Sequence, residues 1–200
     1  MHPKYERTLV VLKPDAVQRS LIGEIIKRFE RVGLKLSGIK MFVPDEDFIE
    51  KHYTFDPSWK RKAGEKNIKS CHEKGIIPPS DNPLDIGEMV LTVLKKYLSS
   101  GPVVAMVWQG AHVVPIVRKL VGSTEPLSSD VGTIRGDFVH DSYEMSGGDG
   151  RSLRNLIHAS GSKEEAEQEI PHWFAEDEIV DYRLVQEAIL YDVNLDGILE

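Results

Sequence analysis

The sequence of 200 residues contains a single cysteine, Cys71, so an intramolecular disulfide is excluded. A structural zinc site is disfavoured too, because Cys71 and its neighbour His72 have no further ligands at the spacing that such sites use. We therefore expect no metal ion held by protein ligands alone. The lack of disulfides, together with an amino-terminal segment that has no apolar signal core, predicts a cytoplasmic protein.

Long apolar runs and an excess of basic charge are also missing. Apolar stretches such as residues 102–108 fall far short of the roughly 20 residues that cross a bilayer, so no membrane association is expected. The net charge of −7 argues against a general nucleic-acid-binding surface, which needs many Lys and Arg contacts to phosphates. Any site for a phosphate must then be a local basic pocket.

The hydrophobic pattern indicates one α/β domain over residues 1–200, since a chain of this length can bury roughly 70% of its unfolded surface. Strands are predicted at residues 7–13, at 34–43 with a bulge at Ser37-Gly38, and at 102–108. Helical spacing predicts amphipathic helices that begin at Leu21, with Ser20 as a cap, and that cover residues 45–53, 88–98, 113–121 and 163–174. This alternation predicts an α/β sandwich in which helices cover one sheet.

Some stretches are less regular. Residues 59–74 are basic and polar and residues 75–87 are rich in Pro, Asp and Asn, a composition typical of loop or inserted structure. Residues 132–138 are predicted to lead into a short strand, and residues 140–150 to form a glycine-rich loop. We expect insertions near residues 60–87 and 140–151 and a short C-terminal tail after residue 191.

His158 lies in a loop-like run, and a lone histidine is more often a surface or core residue than a nucleophile. The other candidate residues of the chain favour a catalytic role for His158. A neutral imidazole can attack phosphorus when an acceptor holds its other nitrogen. Glu169, eleven residues further on, can supply that acceptor. The cations Lys13, Arg118 and Arg135 each lie beside a turn or loop, and phosphoryl transfer needs little beyond positioning and charge stabilisation. The set predicts a phosphotransferase.

Five motifs, in order, resemble the nucleoside diphosphate kinase family, and the resemblance runs from about residue 5 to residue 190. They are Glu6-Arg7-Thr8 leading to Lys13-Pro14-Asp15-Ala16-Val17-Gln18-Arg19, then Gly23 to Glu30, Ser100 to Trp108, Gly132-Thr133-Ile134-Arg135-Gly136-Asp137-Phe138, and Asn155-x-x-His158.

The resemblance implies a ferredoxin-like βαββαβ sandwich with an antiparallel sheet covered by helices. It implies an enzyme with a ping-pong reaction, in which a nucleoside triphosphate such as ATP gives its γ-phosphoryl group to His158 and a nucleoside diphosphate takes it. Broad base specificity is expected, because a base that is merely stacked is weakly distinguished. Magnesium (Mg²⁺) would bridge the phosphates, and a homo-oligomer, either a tetramer or a hexamer, is implied as well.

The same resemblance assigns roles residue by residue. His158 resembles the phosphorylated nucleophile, Glu169 the carboxylate that orients it, and Tyr53 the hydroxyl beside it. The nucleotide contacts that it implies are Lys13 and Asn155 for sugar and phosphate, Arg118, Thr124 and Arg135 for the phosphates, and Trp59, with Phe55 as the other candidate, for stacking on the base.

One departure stands beside the nucleophile. The family pattern His-Gly-Ser-Asp-Ser reads His158-Ala159-Ser160-Gly161-Ser162 here. Gly161 removes a carboxylate near the phosphate and the metal, so a change in rate or in metal dependence is expected. The alternative that this supports is a catalytically inactive nucleotide-binding or regulatory relative. A second alternative is a protein whose inserted segments bind a protein partner.

Overall fold

A computed structural model describes residues 3–73 and 75–191, so the predicted tail after residue 191 lies outside the described residues. Its sheet has four antiparallel strands in the order β2-β3-β1-β4. They are β1 (Arg7–Leu12), β2 (Lys35–Phe42), β3 (Val103–Gln109) and β4 (Ile157–Ala159). The pairing of β2 with β3 shifts register between Leu36 and Gly38, which confirms the predicted bulge.

Helices connect and cover these strands. They are α1 (Pro14–Gln18), α2 (Ile22–Glu30), α3 (Glu46–Thr54), α4 (Trp59–Glu73), α5 (Pro83–Leu98), α6 (Val113–Val121), α7 (Ile134–Phe138), α8 (Tyr143–Gly148), α9 (Lys163–Trp173) and α10 (Glu187–Leu190). Several begin where a side chain accepts a hydrogen bond from the first turn, as Asp45, Asn82 and Ser162 do for α3, α5 and α9. Within residues 3–73 and 75–191, none of these helices combines the length and apolar character that a bilayer crossing requires.

The sheet has a hydrophobic cluster on each face, because successive side chains of a strand point to opposite sides. Val10 and Met106 pack with α2 and α6 on one face, whereas Val11 and Ala105 pack with α3, α5 and α9 on the other. Two helices crossing one face of a sheet in this strand order give the ferredoxin-like fold, as expected.

Several local predictions were wrong. Ser20 does not cap α2, because it adopts a positive φ of 56° and Leu21 takes the cap position. Residues 132–138 lead into α7 instead of a strand, since the Thr133 hydroxyl accepts the Gly136 N–H and starts a helix. Residues 140–150 contain α8, which the Ser142 hydroxyl caps in the same way. Local side-chain bonds to the backbone decide these short helices.

The stretch at residues 59–74, for which loop or inserted structure was predicted, contains the helix α4 over Trp59–Glu73. It lacks apolar periodicity because its one buried residue is Gly64, through which it touches α5 backbone to backbone. A Cβ on Gly64 would lie 1.8 Å from the carbonyl oxygen of Pro83, and one on Gly87 would lie 2.0 Å from that of Lys60. The two glycines therefore let α4 and α5 approach more closely than side chains would allow.

We predict that Gly87→Ala destabilises the protein by about 1 to 3 kcal/mol, because the added methyl group overpacks the contact between α4 and α5. Gly23→Ala is the matched control, since it also lies in a helix but has no heavy atom within 4 Å of the added Cβ. That control should be neutral or stabilising by up to about 1 kcal/mol. Urea unfolding measures both, and equal free energies of unfolding for the two variants would contradict the close contact.

Candidate active site

His158 lies on the short edge strand β4, opposite Val11 of β1. Its neighbours Ile157 and Ala159 are buried on one face, so the imidazole points to the other face, where 18% of the side chain is exposed. The preceding residue, Leu156, has a φ of 63°, a conformation that costs energy in a non-glycine residue. Two contacts hold it there: its N–H donates to Asp15 Oδ2 (3.2 Å), and its carbonyl accepts from the Lys13 N–H (2.8 Å).

A carboxylate from α9 fixes the histidine ring. Nε2 of His158 lies 2.9 Å from Oε1 of Glu169, and Oε2 of Glu169 accepts a hydrogen bond from the Ser160 hydroxyl at 2.6 Å. Burial alone would raise the pKa of Glu169, but the neighbouring His158 and the hydrogen bonds lower it to about 2. The ionised carboxylate therefore favours the tautomer with its proton on Nε2. Nδ1 of His158 keeps its lone pair and is the nitrogen available for attack.

A second histidine, His52 of α3, is buried against the first, with ring centroids 4.7 Å apart. The Trp173 indole N–H donates to His52 Nδ1 (3.1 Å), which leaves the proton of His52 on Nε2, 3.7 Å from Glu169. Burial, followed by the neighbouring His158, lowers the pKa of His52 to about 3. His52 is thus neutral at physiological pH and lines the site without contributing a charge.

The only grouping of possible metal ligands within residues 3–73 and 75–191 is His52, His158 and Glu169, whose ligand atoms lie within 4.8 Å of one another. The hydrogen bonds already described give each of these side chains a partner, since Trp173 donates to His52 and Glu169 receives two bonds. The arrangement is that of an oriented nucleophile.

The aromatic side of the site comes from α3 and α4. The Tyr53 ring lies 6.4 Å from the His158 ring and 4.9 Å from that of Trp59. Burial, followed by the charge of Glu169, raises the pKa of Tyr53, so its hydroxyl remains a donor. Phe55 instead packs against His172, with centroids 5.2 Å apart. Of the two candidates for stacking on a base, Trp59 is the one beside Tyr53.

Lys13 and Asn155 are joined directly, with Lys13 Nζ donating to Asn155 Oδ1 at 2.6 Å. The amide of Asn155 in turn donates to the Thr124 carbonyl (2.9 Å). Burial, followed by the charge of Arg135, lowers the pKa of Lys13 to about 7. A nearby anion would reverse this shift, so the position is suited to a phosphate.

Arg135 is buried and donates to four main-chain carbonyls: those of Asn155, Gly122, Ser123 and Ile157, at 3.1, 3.2, 2.9 and 2.5 Å. Burial, followed by the charge of Arg118, lowers its pKa to about 10. Arg118 itself is exposed and contacts the Ala159 carbonyl at 3.4 Å. One arginine thus binds two loops together, and the other faces solvent near the histidine.

These contacts bring every site residue predicted from the sequence into one connected cluster. The roles of the individual residues stay predictions. Residues that the sequence did not single out also belong to it: His52, Ser160 and Lys66 of α4, whose Nζ lies 3.3 Å from the Thr124 hydroxyl. The only sequence signals for the first two are adjacency, since His52 precedes Tyr53 and Ser160 follows His158 by two positions. Lys66 carries no sequence signal of that kind.

Known proteins are similar to this chain in sequence. The sequence model described as "Nucleoside diphosphate kinase" matches residues 6–63 and 86–179. A nucleoside diphosphate kinase of Pyrobaculum aerophilum is 47% identical over 180 residues, which cover 88% of this chain and 98% of that protein. The unmatched residues 64–85 fall within the stretch predicted to be an insertion. That insertion, like the one at 140–151, stays a prediction.

Solved structures are similar as well. The crystal structure of the P. aerophilum kinase has a TM-score of 0.85 at 45% identity and covers 88% of this chain and 100% of that one. A transition-state mimic of the nucleoside diphosphate kinase from Borrelia burgdorferi, with bound vanadate and ADP, has a TM-score of 0.76 at 38% identity, covering 92% and 95%.

We predict that Lys13→Met flattens the dependence of stability on pH in the unliganded protein between about pH 7 and pH 10. The folded pKa of Lys13 is lowered to about 7, whereas an unfolded lysine titrates near 10.4. Between these values the unfolded state binds more protons, so Lys13 makes the free energy of unfolding rise with pH, by at most about 1.4 kcal/mol per unit. Below about pH 7 Lys13 is protonated in both the folded and the unfolded state, so its unfavourable contribution to the free energy of unfolding no longer changes with pH.

Urea unfolding at a series of pH values compares wild type, Lys13→Met and the control Lys119→Met, which removes an exposed lysine. The control should follow wild type. If Lys13→Met kept the wild-type slope, Lys13 would not be the buried titrating group.

Proposed function

The chain belongs to the nucleoside diphosphate kinase family, and we propose that it transfers the γ-phosphoryl group of a nucleoside triphosphate to a nucleoside diphosphate through a phosphohistidine at His158. The observation that carries the proposal is the contact between His158 Nε2 and Glu169 Oε1 at 2.9 Å. It leaves Nδ1 of a neutral imidazole free for attack at the mouth of a basic pocket.

In the first half-reaction, the Nδ1 lone pair attacks the γ-phosphorus, the bond to the β,γ-bridging oxygen breaks, and a nucleoside diphosphate leaves with that oxygen. The phosphorylated ring becomes cationic while Nε2 keeps its proton. The ionised Glu169 stabilises that charge and holds the ring in place, with the Ser160 hydroxyl fixing the carboxylate from its other oxygen. The second half-reaction reverses these steps with another nucleoside diphosphate.

The phosphates would bind among Lys13, Arg118, Thr124, Arg135 and Asn155. A guanidinium has five N–H donors, and Arg135 uses four of them on main-chain carbonyls. It therefore contributes one direct hydrogen bond at most, together with its charge, whereas the exposed Arg118 can offer more of its donors. Trp59 would stack on the base without reading its edges, which supports broad base specificity.

Magnesium belongs with the nucleotide in this proposal. The side chains around the phosphate pocket, such as Lys13 and Arg118, are mainly basic, both oxygens of Glu169 already accept hydrogen bonds, and Gly161 provides no carboxylate. This donor set fits Mg²⁺ chelated by phosphate oxygens and water better than a cage of protein ligands. Bound in that way, the ion would neutralise charge that develops on the phosphates.

We also propose a homo-oligomer, a tetramer or hexamer, and a cytoplasmic location. The assembly is supported by the edge strand β2, where Ile39, Met41 and the following Val43 are 49%, 55% and 60% exposed. An exposed apolar row on a sheet edge favours pairing with another chain.

The alternative function, that of a catalytically inactive relative, is supported by Gly161 alone. The contact between the nucleophile His158 and the carboxylate of Glu169 argues against it.

The direct test incubates the protein with γ-labelled ATP and Mg²⁺ and isolates it. We expect acid-labile, alkali-stable label that moves to added GDP, UDP or dCDP, because the base is not read. His158→Asn should carry no label, whereas His72→Asn, which changes an exposed histidine at the end of α4, should be labelled like wild type. Label on His158→Asn would place the nucleophile elsewhere, and unlabelled wild type would make the inactive relative the leading account.

Glu169→Gln should slow phosphorylation of His158 on the order of 10²-fold, because a neutral amide no longer stabilises the cationic ring. Nucleotide affinity should stay within about twofold, since Glu169 contacts the histidine and not the phosphates. Single-turnover kinetics at several ATP concentrations separate the rate from the affinity. Glu167→Gln, an exposed glutamate of the same helix, is the control. Equal rates for both variants would show that Glu169 does not orient the nucleophile.

A further inference from the structure

Helix α4 carries one side chain to the phosphate pocket from the part of the chain that the family model does not match. Its residue Lys66 lies within the unmatched residues 64–85, yet Lys66 Nζ is 3.3 Å from the hydroxyl of Thr124. Thr124 in turn is linked through its carbonyl to Asn155, and Asn155 to Lys13. The ammonium group of Lys66 therefore stands at the rim of the cluster that the proposed function assigns to phosphate.

The position of Lys66 follows from the way α4 packs. Gly64, two residues earlier, lies against the Pro83 carbonyl, and Gly87 lies against that of Lys60, so the helix is held close to α5. Trp59 and Lys66 are seven residues apart and share one face of α4, separated by about 10 Å at about 1.5 Å per residue. That face presents an aromatic ring beside Tyr53 and an ammonium beside Thr124, too far apart to contact the same chemical group.

The charge around Lys66 differs from that around the other lysines of α4. Lys60, Lys62 and Lys69 form ion pairs with Glu88, Asp56 and Glu73, at 2.6, 2.7 and 3.8 Å. Lys66 has no such pair within residues 3–73 and 75–191, and its one hydrogen bond there is to a neutral hydroxyl.

Like charges also face Lys66. Partial burial, followed by the charges of Arg118 and Arg135, lowers its pKa, and Glu125 opposes that effect without reversing it. Arg135 also donates to the carbonyl of Ser123, the residue before Thr124, so Lys66 and Arg135 reach the same loop, and an anion bound beside it would relieve the repulsion between them.

We propose that Lys66 is a further phosphate-binding residue of the nucleotide site, where it contacts the terminal phosphates of a nucleoside diphosphate or triphosphate. This rests on the proposed function. Helix α4 then contacts the nucleotide at both ends, through Trp59 at the base and Lys66 at the phosphates.

The test measures the dissociation constant of ADP by calorimetry for wild type, Lys66→Ala, Lys66→Arg and Lys69→Ala, with thermal unfolding as the check on folding. Lys66→Ala should bind ADP about fivefold more weakly at low ionic strength, and the difference should shrink at high salt, because a partly exposed charge is screened. Lys66→Arg, which keeps the charge, should bind close to wild type. Lys69→Ala, which removes an exposed lysine from the same helix, should be unchanged.

The inference would be overturned if Lys66→Ala bound ADP within twofold of wild type, if Lys66→Arg were as weak as Lys66→Ala, or if Lys69→Ala weakened binding equally. A wild-type protein that binds ADP but forms no phosphohistidine would count against the proposed transfer reaction. In that case the dissociation constants of ADP would still test whether Lys66 binds phosphate.

Discussion

The geometry of the site depends on one buried cation, the Arg135 guanidinium, which bonds to main-chain carbonyls in place of a carboxylate. It holds the carbonyls of Gly122 and Ser123, after α6, next to those of Asn155 and Ile157, which enter β4. A buried charge is tolerated only when its donors are satisfied, so the two loops cannot separate without leaving that charge unpaired. Asn155 is thereby fixed to receive Lys13 and to bond to Thr124, and His158 follows three residues later.

Repulsion between cations is the cost of this arrangement. The pKa values of Lys13 and Arg135 are both lowered, by burial first and then by a neighbouring cation, Arg135 for Lys13 and Arg118 for Arg135. A polyphosphate supplies the charge that would relieve this strain, so the free energy lost in the unliganded protein becomes available for binding. The histidine has the opposite environment, since an ionised carboxylate faces its ring.

How much the sequence could predict differed between the sheet and the site. The three longer strands and the bulge at Ser37 were readable, because β1 and β3 are continuous apolar runs buried on both faces and β2 alternates on either side of its bulge. Helix α4 was not, since it packs through Gly64 and shows no apolar stripe. The eleven-residue separation of His158 and Glu169 was only suggestive, because no periodicity relates an edge strand to the helix after it. The family resemblance supplied most of the candidate residues. It did not supply Lys66, which lies outside the matched residues.

The orientation of both histidines depends on where α9 begins. The Ser162 hydroxyl caps it by accepting the Glu165 N–H, and the Glu165 carboxylate accepts the Gly161 N–H, so two hydrogen bonds fix the first turn. Glu169 and Trp173 lie one and two turns further along the same face. Glu169 holds His158, and Trp173 holds His52. A shift of α9 by one residue would rotate both partners away together, because successive helical residues are about 100° apart. The cap at Ser162 therefore fixes the start of the helix whose Glu169 sets the tautomer of His158.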